Sequence, residues 1–237
     1  MKALELYQAG RLDEALQELG STLRADPGNV RARTFLFELL CFAGQYDRAA
    51  KQLDVIADTS KEASMGALLY RSALHAERTR QEMFEAGRVS EARPGAPISG
   101  TLNGQPFHAV SDADPRVGDR LEVFAAGQYT LVPFAHIAEI HVEPPKRLRD
   151  LLWAPAHVKA GPSFRDFEFG EVLIPAITPL AWRHPDGDVR LGRSLVWEAG
   201  ANNVEIPIGP KLLQVDEELI PILEVRELVI DSADSGS

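Results

Sequence analysis

The sequence predicts an α+β protein in two parts, an N-terminal array of helical repeats followed by a small irregular β-rich domain. Three observations predict it. Two segments of the first third align without gaps at a separation of 34 residues. The middle stretch, Asp119 to Trp153, alternates β-prone runs with turn residues. Beyond Trp153, Gly or Pro interrupts the chain every 8 to 12 residues, a spacing too short for βαβ units. The expected division is helical repeats over 1–89, a linker over 90–105, the β-rich domain over 106–231 and a disordered polar tail over 232–237.

The two repeated segments are Leu6 to Leu19, LYQAGRLDEALQEL, and Leu40 to Leu53, LCFAGQYDRAAKQL. Their period is that of the tetratricopeptide repeat. Gly10 and Gly44 each end one helix, where freedom at positive φ lets the chain reverse. Asp13 and Asp47 then favour the positive start of the next helix. Leu12, Ala15, Leu16 and Leu19, and in the second copy Tyr46, Ala49, Ala50 and Leu53, make the apolar stripe of the returning helix. Pro27 stops that helix and Asn29 is placed to cap the next. A third copy would need Gly at position 78, where Arg78 stands, so Lys61 to Ala86 reads as one long terminal helix. Phe37 occupies a position that usually holds a small residue, which marks the repeats as divergent.

Such repeats hold peptides or helices on the concave face of their first helices. Repeat position assigns to that face Leu4, Tyr7 and Gln8, then Arg31, Thr34, Glu38, Cys41 and Phe42, then Leu68, Ser72 and His75. Tyr7, Phe42 and Leu68 are the candidate apolar anchors, and Arg31 and Arg33 the candidate partners for acidic side chains. The same face is equally able to pack against the second domain. Cys41, flanked by Leu40 and Phe42 with no adjacent cation, reads as a small buried hydrophobe.

In the middle stretch Leu121–Phe124 and Tyr129–Val132 form a predicted hairpin around Ala125-Ala126-Gly127-Gln128. Pro133 closes it, a turn of helix over Phe134 to Glu139 follows, and Ile140-His141-Val142 offers a third strand. Leu148, Leu151, Leu152 and Trp153 are expected to pack this unit on the repeats, with Arg149 and Asp150 as an ion pair or cap. Further strands are expected at Glu171–Ile174, Leu212–Val215 and Ile222–Ile230.

Composition narrows the function. Formal net charge is −10, and residues 90–237 carry 13 Lys+Arg against 22 Asp+Glu. Nucleic acid and anionic membrane both require a cationic footprint and are disfavoured as partners. Cys41 is the single cysteine, which excludes an intrachain disulfide and cysteine-based metal centres. No stretch has signal-peptide or membrane-spanning character, so a cytoplasmic location is expected. Asp112 to Asp119 superficially suggests a calcium loop, but Pro115 and Arg116 occupy ligand and turn positions and no bidentate Glu follows. The six histidines are scattered, and no hydrolase, zincin or nucleotide-loop motif occurs. No enzyme, cofactor or metal site is expected.

The second part carries a recognisable pattern. Asp112-x-Asp114-x-Arg116-x-Gly118, Leu121-Glu-Val123, Gly127-x-Tyr129, Val132-Pro133, Ile137 and Pro145-x-x-Leu148-Arg149-Asp150-Leu151-x-Trp153 resemble the ImpE family, also called TagJ. Leu173-Ile-Pro175-Ala176, Leu191-Gly-Arg193 with Trp197, and Ile208-Gly-Pro-Lys-Leu-Leu213 agree with it, and helical repeats precede this part in the family too. Departures lie at Ser194-Leu195-Val196 and in the shortened Pro207–Lys211 segment. The resemblance implies a non-enzymatic accessory protein of bacterial type VI secretion. It would bind a helix of the small contractile-sheath subunit and assist sheath recycling with a ClpV-type ATPase. Two other readings stay open: a β-rich domain with small-ligand-binding or hydrolytic activity, signalled by a pocket of His136, His141, Asp150 or Arg193, and a self-assembling scaffold.

Overall fold

A computed structural model describes residues 2–89, 97–161, 169–200 and 204–231. The expected tail, 232–237, and the first part of the expected linker, 90–96, lie outside the described residues. Five helices open the chain: α1 (Lys2–Gln8), α2 (Leu12–Ala25), α3 (Val30–Phe42), α4 (Tyr46–Ala57) and α5 (Lys61–Glu85). Each packs against the next. Gly10 and Gly44 have φ of 71° and 67°, in the left-handed region that ends α1 and α3. The Asn29 side chain caps α3 by accepting a hydrogen bond from the Ala32 amide at 3.0 Å. Phe37 is buried against Tyr70, with ring centroids 6.1 Å apart, so the divergent position fills the space before the long α5.

The rest of the chain is antiparallel β-structure, more regular than expected. Its thirteen described strands are β1 (Gly100–Leu102), β2 (Gln105–Phe107), β3 (Val110–Asp112), β4 (Arg120–Ala125), β5 (Gln128–Pro133), β6 (Ile137–Val142), β7 (Trp153–Ala160), β8 (Gly170–Pro175), β9 (Val196–Ala199), β10 (Glu205–Ile208), β11 (Leu212–Val215), β12 (Glu218–Pro221) and β13 (Glu227–Ile230). Eight of them form one sheet in the order β2-β1-β13-β6-β7-β8-β4-β5; β12-β11-β3 form a second, and β9 pairs with β10. A short helix, α6 (Gly187–Arg190), lies in the long connection after β8.

Three local expectations are adjusted. The hairpin turn is Ala126-Gly127 alone, with φ of 49° and 78°, the two-residue type whose twist suits the strands, so each strand gains a residue. Strand β1 begins at Gly100, inside the segment read as linker, because β13 supplies it with a partner from the far end of the chain. The last predicted strand is interrupted: Ile222–Glu224 form a 3₁₀ turn and β13 follows.

Alternation along the large sheet sorts its side chains. Leu121, Val123, Ile140, Val142, Ala154, Ala156, Val158, Val172 and Ile174 point to one face and join Val110, Leu213 and Val215 of the small sheet in a core. The opposite face begins with Glu122 and Phe124 on β4, continues through Leu173 and Trp153, and reaches His157, His141 and Glu227. Helix α5 covers only the first part of that face. Leu152 and Trp153 share the apolar core of the helices, with Leu148 and Leu151 packed on it, as the sequence led one to expect.

Candidate partner-binding groove

The seam between repeats and sheet is held by a buried ionic cluster. Arg80 of α5 donates from Nε to Glu122 Oε1 at 2.8 Å and from Nη2 to Oε2 at 3.1 Å. The same guanidinium donates to Glu77 at 3.1 Å and to the Ile177 carbonyl at 3.0 Å. Tyr129 Oη donates to Glu122 at 2.8 Å, and Lys211 Nζ pairs with both Glu122 and Asp112. Trp153 Nε1 donates to Glu77 at 2.9 Å. Burial alone would raise the Glu122 carboxyl, but Arg80 and Lys211 overcome it and hold it well below the usual carboxylate range. Asp112 has the shared Lys211 ammonium and the Asp114 amide, 2.8 Å away, on its side, but burial outweighs them and, with the nearby Glu122 charge, pushes it up to about 7. Asp114 is engaged as well, by Arg116 at 2.6 Å, so the pair that suggested a calcium loop serves internal charge pairing.

Several charged and polar residues of the family pattern therefore have structural partners at or near this seam. Asp150 accepts from the Lys146 and Arg147 amides at 2.8 and 2.9 Å, a cap, while Arg149 pairs not with it but with Glu38 at 3.4 Å and lies 4.5 Å over the Tyr70 ring. Arg193 donates to the carbonyls of Tyr7 and Gln8 at the end of α1, at 2.9 and 3.2 Å. Arg190 pairs with Asp13 at 2.9 Å. The turn glycines have a second role here. A Cβ on Gly44 would lie 2.4 Å from the Trp182 ring, and one on Gly10 would lie 2.7 Å from the Asp188 carboxylate.

This docking decides where the residues assigned to the concave face lie. Tyr7 is half-buried, with its ring edge-on to Phe35 and Arg193 4.4 Å above it. Glu38 and Phe42 are buried, and Cys41 is a buried free thiol whose pKa burial raises. Arg33 donates to Gln52 and to the Pro27 carbonyl inside the repeats, and Thr34 to the Val30 carbonyl. Leu4, Gln8, Arg31, Leu68 and His75 are exposed, and Ser72 is half-buried. The second domain thus occupies the end of the face marked by Phe42 and Glu38. Leu68 and His75 stay exposed on α5, and Ser72 between them is half-buried beside the Ala126-Gly127 turn.

Where α5 leaves the sheet a groove of about 450 Å³ opens. Leu69, Tyr70, Ser72 and Ala73 form its helical wall; Phe124, Trp153, Pro155 and Leu173 form the floor; Ala126 and Gly127 close one end. Gly127 permits the approach: a Cβ there would lie 3.3 Å from Ser72 Cβ. His141, Glu143, His157 and Glu171 give the remaining lining a polar, net acidic character. Met65, Leu68 and Leu69 stand exposed on the adjoining turns of α5, at 70%, 65% and 53%. Sequence reading missed the groove because its floor comes from strands whose pairing is long-range. A signal was present, since Pro155, His157, Glu171 and Leu173 alternate with buried residues on one sheet face. Of the four residues that would have marked a small-ligand pocket, His141 and Asp150 line the groove, whereas Arg193 sits at the end of α1.

Among the described residues no helix is long and apolar enough to cross a membrane. The tetratricopeptide repeat family matches residues 6–71. The chain is similar to the type VI secretion system accessory component TagJ of Pseudomonas aeruginosa, 31% identical over 99% of this chain and 93% of that protein. A crystal structure of a Vibrio parahaemolyticus protein shares the fold at a TM-score of 0.84 with 23% identity, covering 98% of both chains. The ImpE protein family matches residues 104–229, more than half of the chain, and the chain belongs to that family.

Proposed function

We propose that the protein is a non-enzymatic accessory component of a type VI secretion system. It acts as an adaptor that holds an amphipathic helix of the small contractile-sheath subunit in the groove between α5 and the large sheet. In that position it assists sheath recycling by a ClpV-type ATPase. The likeness to a type VI accessory component along nearly the whole chain supports the system. The observation that carries the binding mode is the apolar floor of Phe124, Trp153 and Leu173 beside exposed Leu68 and Leu69. An amphipathic helix lays anchors spaced by three and four residues into such a groove. The acidic lining favours a ligand with basic flanks.

On this reading Leu68, Ser72 and His75 contact the partner, with Leu4, Arg31 and Thr34 as the open extension along α1 and α3. Tyr7, Gln8, Arg33, Glu38 and Phe42 support the architecture. Calorimetric titration of the full chain with a peptide spanning the sheath-subunit helix tests it. Leu68→Asp and Leu69→Asp, both on exposed positions that leave folding intact, are each expected to weaken binding about tenfold or more, the loss of a central apolar anchor. Binding by both folded variants at the original affinity would remove the groove from the mechanism.

A further inference from the structure

We propose that Glu139, His141 and Glu227 bind one divalent transition-metal ion, zinc by preference, on the uncovered part of the large sheet. The site rests on its own geometry and not on the partner proposed for the groove. His141 Nδ1 lies 3.2 Å from the Arg226 carbonyl oxygen. In the neutral imidazole that nitrogen carries the proton and donates it, leaving the Nε2 lone pair free. Metal-binding histidines are commonly oriented this way, through a backbone carbonyl on the other ring nitrogen. His141 Nε2 then faces Glu139 Oε1 and Glu227 Oε1, each at 3.5 Å. Two ligands at ~2.1 Å from a tetrahedral zinc are about 3.4 Å apart, so these distances are already the edges of such a site.

The backbone holds the three groups in place. Glu227 is directly opposite His141 on adjacent strands, and Glu139 is two residues along the same strand face. One candidate ligand atom from each residue lies within 4.8 Å of the others. One imidazole with two carboxylates is a nitrogen and oxygen set that suits zinc, and its two negative charges neutralise the ion. His157 stands directly opposite His141 on β7, on the same face, and as a cross-strand neighbour is the candidate source of a fourth ligand. Lys159 Nζ approaches only Glu139 Oε2, at 3.9 Å, and leaves Oε1 available. The competing occupant is a proton: an imidazolium paired with both glutamates would fill the same space.

Titration of the untagged full chain with cobalt(II) and zinc(II) in chelator-free buffer separates the two. The expected result is one cobalt per chain, with visible absorption of imidazole-bound, low-coordinate cobalt that zinc abolishes. His141→Ala and Glu227→Gln are each expected to lower zinc affinity about tenfold or more. Zinc is also expected to raise the thermal midpoint of the wild type and not of the variants. All three side chains are at the surface, so the variants fold. Zinc affinity unchanged in His141→Ala, or less than one equivalent bound by the wild type at ~100 µM zinc, would overturn the proposal.

Discussion

At the scale of single residues, Arg80 and Asp112 have the clearest consequences. Arg80→Ala strips Glu122 and Glu77 of a buried counter-charge, and breaking such a cluster from one side costs about 3–5 kcal/mol. Urea unfolding should show that loss, against ~0–1 kcal/mol for Arg78→Ala, whose pair with Asp47 is exposed. Asp112 and Glu122 make stability depend on pH in opposite senses. The Glu122 pKa is depressed by folding, so its contribution is present above the ordinary carboxylate range and fades as pH falls toward the folded value. The Asp112 pKa is raised from 3.8 to about 7, so its contribution is complete below 3.8 and is lost as pH rises through about 7. Asp112→Asn is therefore expected to flatten the fall in stability between pH 5 and 7.5 that the wild type shows, read as the difference between their urea midpoints. None of this was legible in the sequence. Arg80 and Lys211 have the composition of surface charges, and only the tertiary alignment of α5 with β4 and β11 buries them. Glu122 shares a face with Phe124, opposite Leu121 and Val123, in a strand buried on both faces.

At the scale of elements, the repeat glycines divide by role. Gly44→Ala would both strain a left-handed residue and drive its Cβ into Trp182, for a combined loss of about 2–4 kcal/mol. Gly20 lies inside α2 with nothing within 4 Å of an added methyl, so Gly20→Ala is expected to stabilise by about 0.5–1 kcal/mol. Thermal denaturation of the two variants should therefore shift in opposite directions. The elements governed by local signals were the legible ones: the 34-residue period, the Asn29 cap, the long terminal helix and the β4–β5 hairpin. Strand order was not. Strand β13 separates β1 from β6 in the sheet, and no short-range pattern announces a pairing between opposite ends of the domain. The groove shares that difficulty, because its two walls are distant in sequence.

At the scale of the whole molecule, repeats and sheet are expected to unfold together. The apolar core of the helices continues across the boundary to Phe124, Trp153 and Ile177, beside the sheet's own core on its other face, and the ionic cluster draws on both sides. Calorimetry of the full chain should give one transition whose van't Hoff and measured enthalpies agree, whereas residues 1–89 alone should lose most of their helicity, having left α5 without its cover. Helix α5 is not supported evenly along its length. From Ala73 to Phe84 it buries Leu74, Glu77, Arg80 and Gln81 in the seam, while between Lys61 and Ser72 only Ala67 is buried. At 25 residues it is a beam about 37 Å long, clamped to the sheet at one end and held at the other mainly by its neighbour α4. A load applied near Leu68 would be resisted by α4 and, further along, by the cluster around Arg80, and would therefore act as a torque on the joint between the two halves of the molecule.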